Sequence, residues 1–226
     1  MAVAFRSDTK GTGTGTSIGL ALPSGFAAND ILEFRLYKEN TNAVTWPSGF
    51  TPVTSINAAD NSFVIYIARK VATGAESGTQ TASWTGSNYA EAQLSAYSGA
   101  DTSTTDDATP TIVASGVLGN SAVSPSITTV TANAMIIAFG ANWASTTTNW
   151  TLTNFNMRTP SVTTDIGVAD AIQAAVGASG NLTFSVPSTS GQAAGITVAL
   201  REASQTGMMR KNVLTEQPLQ LQYMEL

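Results

Sequence analysis

The stretch Asn29-Asp30-Ile31-Leu32-Glu33-Phe34 returns about 104 residues later as Asn133-Ala134-Met135-Ile136-Ile137-Ala138. Trp46 and Trp150 are separated by the same offset. Two further matches extend the repeat: Val64 falls on Val168 and, after a two-residue slip, 91–97 falls on 193–199. A repeat of about 100 residues is too long for a solenoid unit. It predicts one β-architecture assembled from two equivalent halves.

Around this repeat, short runs rich in Val, Ile, Thr and aromatic residues alternate with Gly, Pro, Asn and Ser. This pattern is typical of a β-sandwich or barrel. The runs Ile31–Leu36 and Phe63–Ala68 are nearly continuous in apolar residues, as expected of central strands covered on both sides. We predict an all-β, jelly-roll-like β-sandwich over residues 17–202, with pseudo-repeats at about 17–101 and 121–202 and interleaved halves. Two separate small sandwiches, split near residue 110, are the alternative.

Three segments lie outside the repeat. Residues 1–16 include the low-complexity run Gly11–Thr16 and are predicted to form a flexible N-terminal segment. Asp101–Asn120 is interpreted as an acidic linker between the halves. Residues 203–226 change in composition and are predicted to form an extended C-terminal arm.

Composition excludes several classes of partner. The net charge is −5, and the ten Lys and Arg residues are scattered, so a nucleic-acid partner is not expected. No window of 18 apolar residues predicts a transmembrane span, and the N-terminus lacks the apolar core of a signal peptide. We therefore expect no membrane partner and synthesis in a cytoplasm.

The chain has no His and no Cys, which removes the usual general bases, thiol nucleophiles and metal ligands. Catalytic, cofactor-binding and metal-binding residues are accordingly not predicted. The carboxylates that a glycosidase would need are interpreted instead as outward residues of strands: Glu33, Glu91, Asp165 and Asp170. Asp101, Asp106 and Asp107 form the densest acidic cluster, for which a solvated linker is favoured over a calcium site.

Candidate contact residues lie in the arm and in one loop. Leu219, Leu221 and Tyr223 alternate with glutamines, so the arm could fold back on its own domain or dock on a partner as an added strand. The predicted partner-binding residues are Met208, Met209, Val213, Leu214, Leu219, Leu221, Tyr223 and Leu226. Trp143, in a loop-like stretch, is the candidate exposed contact aromatic, whereas Trp46 and Trp150 are predicted to be core residues.

The sequence resembles a group of bacteriophage virion proteins, and related bacterial proteins, built on a jelly-roll-like sandwich. The resemblance covers roughly residues 17–202 and is carried by Asn29–Leu32, Trp46–Phe50, Tyr66–Ala72, Leu94–Asp101, Ile127–Ile137 and Thr197–Arg201. It implies a non-enzymatic virion protein, either a head decoration or cement protein or a tail component. Other virion proteins of the capsid or tail, and further copies in a homo-oligomer such as a trimer, are the partners it implies. Alternatives are a tail or fibre module that binds host glycan or protein and a bacterial carbohydrate-binding module.

Overall fold

The computed structural model describes residues 2–143, 150–158, 165–185 and 191–204. Every regular element in these ranges is a strand. The described residues contain no helix with the length and apolar character needed to cross a membrane. The strands are β1 (Ala4–Leu20), β2 (Ile31–Lys38), β3 (Val44–Thr45), β4 (Thr51–Asn57), β5 (Val64–Val71), β6 (Gln80–Ser98), β7 (Thr111–Gly119), β8 (Ser121–Ser124), β9 (Thr128–Thr129), β10 (Ala134–Asn142), β11 (Asn156–Met157), β12 (Ile166–Gln173), β13 (Gly177–Ala178), β14 (Leu182–Ser185) and β15 (Gly191–Leu200).

Two antiparallel sheets carry the fold. The first sheet has the strand order β1-β6-β2-β5-β4, with β3 paired to β6. The second sheet has the order β11-β12-β10-β15-β7. Its strands β11, β12, β10, β15 and β7 occupy the positions that β4, β5, β2, β6 and β1 occupy in the first sheet. The predicted all-β sandwich from two related halves is confirmed. The expected interleaving is wrong, because each half pairs its strands with one another and builds its own sheet.

The register fixes which residues of the two halves correspond. Phe34 of β2 lies opposite Ala68, and Ala138 of β10 lies opposite Ala169, so the offset of 104 holds for β2 and β10 but falls to 101 for β5 and β12. The predicted match of Val64 with Val168 is therefore wrong, since the connection before β12 is shorter than the one before β5. The offset between β6 and β15 is 103 residues, a slip of one residue from 104 rather than the predicted two. Each residue of β15 is therefore matched with a β6 residue on the opposite face of the strand from the one predicted.

Three hydrophobic cores result from this arrangement. All eight residues of β2 are buried, so alternate side chains enter two different cores. Ile31 and Tyr37 belong to the inner core between the sheets, which also takes Ile137 and Phe139 from β10. Phe34 belongs to the outer core of the first half. The second half has an outer core of its own around Trp150 and Phe184, while Trp46 is half-buried beside Phe34.

Contacts between the sheets show how the halves face each other. The carbonyl oxygen of Arg158, next to β11, accepts hydrogen bonds from Gln93 of β6 and Lys10 of β1. At the opposite side of the sandwich, β4 contacts β7 and β15. Thus β4 contacts the counterparts of β1 and β6, and the residue next to β11, the counterpart of β4, contacts β1 and β6 themselves. This reciprocity is the arrangement of the two subunits in an isologous dimer.

Two predicted segment boundaries need correction. Residues 4–16, expected to be flexible, form most of β1, and Gly11, Gly13 and Gly15 pair with Ala92, Ala90 and Asn88. The long strand β6 supplies hydrogen-bond partners along the whole run, which offsets the entropy cost of ordering glycine. The predicted linker contains β7, which pairs with β15 as part of the second sheet. The arm from residue 205 onward lies outside the described residues.

Candidate functional site

A row of polar side chains lies between the two sheets, on the inner face of the first. Glu33 and Arg35 come from β2 and Arg69 from β5, and all three are buried. The two-residue spacing of Glu33 and Arg35 places them on one face of β2, because side chains alternate along a strand. A central strand that carries two opposite charges at this spacing is the signal that sequence reasoning missed.

The prediction that four carboxylates point outward is wrong. Glu33, Glu91 and Asp170 are buried, and Asp165 is half-buried. Their strands β2, β6 and β12 are central in the sheets and covered on both faces, so alternation leads from one core to another rather than from core to solvent.

Glu33 is the centre of the polar row. Arg35 Nη2 donates to its Oε1, and Arg69 Nε donates to its Oε2 at 2.5 Å. Burial alone would raise the pKa of Glu33, but the Arg35 and Arg69 guanidiniums more than offset this and hold the pKa below its usual range. Arg35 Nη1 also donates to Ser95 Oγ at 2.9 Å. The carboxylate is thus ionised and committed to two internal partners.

One polar pair links this row to the second sheet. Arg35 Nη2 lies 3.2 Å from the Tyr97 hydroxyl of β6, which donates to Asp170 Oδ2 of β12 at 3.2 Å. Arg158 binds the same carboxylate through Nε and Nη2 at 2.8 and 2.7 Å. Around this link, the second sheet presents Ile137 and Phe139 at the positions that correspond to Glu33 and Arg35. The network therefore fixes the lateral position of one sheet on an otherwise apolar face.

A cleft of about 670 Å³ opens where β5 ends, against the connection between the halves. Its lining includes Arg69, Lys70 and Asp106 together with Ile31, Val53 and Pro110. Arg69 Nη1 donates to Asp106, while its Nη2 is buried and has no hydrogen-bond partner among the described residues. Arg69 therefore connects the polar row to the wall of this cleft.

A second group of acidic side chains lies at the seam between the halves. Tyr89 donates to Glu91 Oε1, and Glu91 Oε2 accepts from the backbone N–H of Asp165 at 3.1 Å. Burial, and then the charges of Glu91 and Glu39, raise the pKa of Asp165 to about 8. Within the described ranges, no group of three or more acidic side chains is arranged to hold a metal ion.

The linker aspartates have structural partners. Asp101 Oδ1 accepts from the N–H and hydroxyl of Ser103, and Asp106 pairs with Arg69. Asp107 is buried and accepts from the backbone N–H of Val130 at 2.7 Å. The prediction of a solvated acidic linker is therefore wrong for Asp107, because the connection packs against the second half rather than crossing solvent.

The predicted contact residues divide into two groups. Trp143 is 48% exposed, and its indole N–H donates to Glu39 Oε1 at 3.2 Å, which joins the end of β10 to the first half. The eight residues predicted in the arm, Met208, Met209, Val213, Leu214, Leu219, Leu221, Tyr223 and Leu226, lie outside the described residues. The structure thus places one of the predicted contact residues, Trp143.

The comparisons with known proteins give no relative. No protein-family model, no curated protein and no solved structure matches this chain. Inference about its function therefore depends on the geometry of the sandwich and on the residues that the sandwich buries or exposes.

Proposed function

We propose that the protein is a non-enzymatic structural component of a bacteriophage virion, most simply a head decoration or cement protein. In this role it docks on the capsid or on neighbouring subunits through its C-terminal arm. The proposal includes a homo-oligomeric form and carries no catalytic residue, cofactor or nucleic-acid site.

The use of the buried ionisable groups carries this proposal. Glu33 binds Arg35 and Arg69 within the first sheet, and Asp170 binds Arg158 within the second half. The Tyr97 hydroxyl joins the two groups across the inner core, so these charges are engaged inside the protein rather than directed at a substrate. A rigid sandwich with internally paired charges suits a protein whose task is to withstand assembly forces.

The exit point of the arm supports the docking role. The Ala203 N–H donates to Gly99 O at 2.9 Å, and Glu202 pairs with Ala100, so the chain is held at the sandwich up to this point. The arm therefore starts from a fixed position, and its alternating apolar residues suit an added strand on a partner.

A truncation after Ser204 tests the arm, because it keeps the bonds of Glu202 and Ala203. We expect the truncated protein to melt like the full chain and to lose oligomerisation in sedimentation experiments and incorporation into particles. A full-length variant with Leu219, Leu221 and Tyr223 changed to Ser serves as the matched control for length. If the truncated protein still assembles at full occupancy, the arm is not the anchor.

The exposure of Trp143 favours a second function, a tail, fibre or surface module that binds host glycan or protein. The exposed indole of Trp143 can stack on a sugar ring, and the neighbouring Glu39 carboxylate can accept hydrogen bonds from the sugar hydroxyls. Binding to a glycan array, abolished by Trp143→Ala and unaffected by the exposed control Val130→Ala, would support this function. Absence of any glycan signal, with immunogold label on particle heads, would favour the capsid role.

A further inference from the structure

The guanidinium of Arg69 is only partly satisfied by the protein. Its Nε binds Glu33 and its Nη1 binds Asp106, but Nη2 has no hydrogen-bond partner among the described residues. The side chain is 7% exposed. Since buried polar groups in proteins are almost always hydrogen-bonded, a charged donor left without an acceptor indicates a missing partner.

The missing partner would be an acceptor of negative charge. A guanidinium has its donors in a planar fork that matches the two oxygens of a carboxylate. Nη1 and Nη2 form one such edge of Arg69, and the structure fills only half of it, through Asp106. Lys70 also lines the cleft, with its Nζ 3.1 Å from Glu76 Oε1.

The cleft is suited to one kind of carboxylate. Ile31, Val53, Val71 and Pro110 supply aliphatic wall, and none of the lining residues is aromatic. Asp106 is 39% exposed, so it can turn away from Arg69 towards solvent when another carboxylate arrives. An aliphatic stem gains from contact with these walls, whereas a sugar ring lacks an aromatic surface to stack on.

We propose that this cleft is a binding site for a carboxylate on a short aliphatic stem, with Arg69 as the principal ligand-binding residue and Asp106 as an internal competitor. Such a group occurs on a glutamate side chain of a partner protein and on a free dicarboxylic acid. The site is independent of the arm and of the assembly role.

Isothermal titration calorimetry tests the proposal. The full-length protein is titrated separately with glutarate, glucuronate and the neutral glutaramide. We expect saturable binding of glutarate, weaker binding of glucuronate and none of glutaramide. Asp106→Asn removes the competitor and should tighten glutarate binding about tenfold, the effect of one charge-assisted hydrogen bond. Asp60→Asn removes the same charge from an exposed turn and should leave the affinity unchanged.

Arg69→Lys keeps the charge but loses the fork, and should abolish glutarate binding. If this variant does not fold, the response to Asp106→Asn still decides the question. Tighter binding of glucuronate than of glutarate would overturn the aliphatic-stem assignment. The proposal would also be overturned if no acid binds and a crystal structure shows only a water on Nη2, or if Asp106→Asn leaves glutarate affinity unchanged. A capped glutamyl peptide that competes with glutarate would identify a protein side chain as a source of the carboxylate.

Discussion

Glu33 is fully buried and accepts hydrogen bonds from Arg35 and Arg69. Two arginines share this carboxylate, and Arg35 continues to Tyr97 and so to Asp170 in the other sheet. Charges in such a position contribute little net stability when complete, but the loss of one member leaves an unpaired buried charge. The effect of a substitution on stability thus depends on whether it leaves a buried charged group without its partner.

We expect Glu33→Gln to lower the free energy of unfolding by about 3–5 kcal/mol, because two buried guanidiniums lose their anion. The triple variant Glu33→Leu, Arg35→Met, Arg69→Leu should recover most of this stability, since it gives the first sheet an apolar face like that of Ile137 and Phe139 in the second. Urea denaturation measures both variants. A triple variant less stable than Glu33→Gln would show that the polar row itself is required for folding.

Asp165 belongs to the acidic seam formed with Glu91 and Glu39. Burial first, and then these two carboxylates, raise its pKa to about 8, whereas in the unfolded chain it has the ordinary value near 3.8. A group with a raised pKa in the folded state stabilises fully below its unfolded pKa and loses this contribution as the pH rises through the folded pKa. Stability linked to Asp165 should therefore fall between about pH 4 and 8.

Asp165→Asn removes this titration and should raise the free energy of unfolding at pH 8–9 by about 1–2 kcal/mol, a figure reduced for the partial exposure of the side chain. At pH 4 the variant and the parent protein should be equally stable. Thermal melts at both pH values measure the difference. In contrast, Asp60→Asn should not stabilise at high pH, because hydrogen bonds from Ser62 lower the pKa of Asp60.

At the scale of elements, one row of glycines shapes the second half. Gly167, Gly140 and Gly195 lie side by side on β12, β10 and β15. A Cβ on Gly167 would lie 2.3 Å from the Trp150 ring, and one on Gly195 would lie 2.0 Å from the carbonyl oxygen of Val123. The outer layer of this half therefore lies directly on bare backbone.

We expect Gly195→Ala to lower the free energy of unfolding by at least about 3 kcal/mol, because the backbone of β8 must move to admit a methyl group. Gly119→Ala is the matched control, since a Cβ there meets no atom within 4 Å. Chemical denaturation of the two variants measures the difference. Equal stability would mean that β8 can shift away from β15 without loss.

The sequence predicted the features that depend on residue type and local order, and failed where distant partners decide. The apolar runs in β2 and β5 predicted central strands, and the Asn29 and Asn133 matches predicted the repeat; both asparagines have positive φ. The prediction that the Gly-Thr run is flexible was wrong because its strand depends on pairing with the distant β6. The cleft required the register that brings Arg69 to Asp106, which no local pattern contains.

At the scale of the whole molecule, the two halves have the same strand order but inner faces that differ in the number of charged residues. The first half adds Glu33, Arg35 and Arg69 to its apolar inner residues, whereas the second presents Ile137 and Phe139 opposite this row and has Asp170 at the position of Arg69. Each half also has an outer core of its own. Each half therefore has a core of its own beside the shared one, and the first exposes more charged groups when the halves are separated.

This asymmetry gives a prediction for the separated halves. Residues 1–109 should be soluble and melt cooperatively, because the outer core around Phe34 stays intact and water hydrates the row of Glu33, Arg35 and Arg69 on the uncovered inner face. Residues 110–204 expressed alone should associate or precipitate, since apolar residues such as Ile137, Phe139 and Val198 are then uncovered. Light scattering and circular dichroism of each half measure these outcomes.

Mixing the halves should then rescue the second, because the apolar face is covered and Asp170 regains Tyr97. The variant Glu33→Gln in the first half is the control that separates covering of the apolar face from correct alignment of the two sheets. A first half with this substitution should still prevent precipitation of the second half, but the complex should melt at a lower temperature. A second half that is soluble and monomeric by itself would contradict this account of the inner core. If the first half alone is unfolded, its outer core is not self-sufficient and the two halves fold only as one unit.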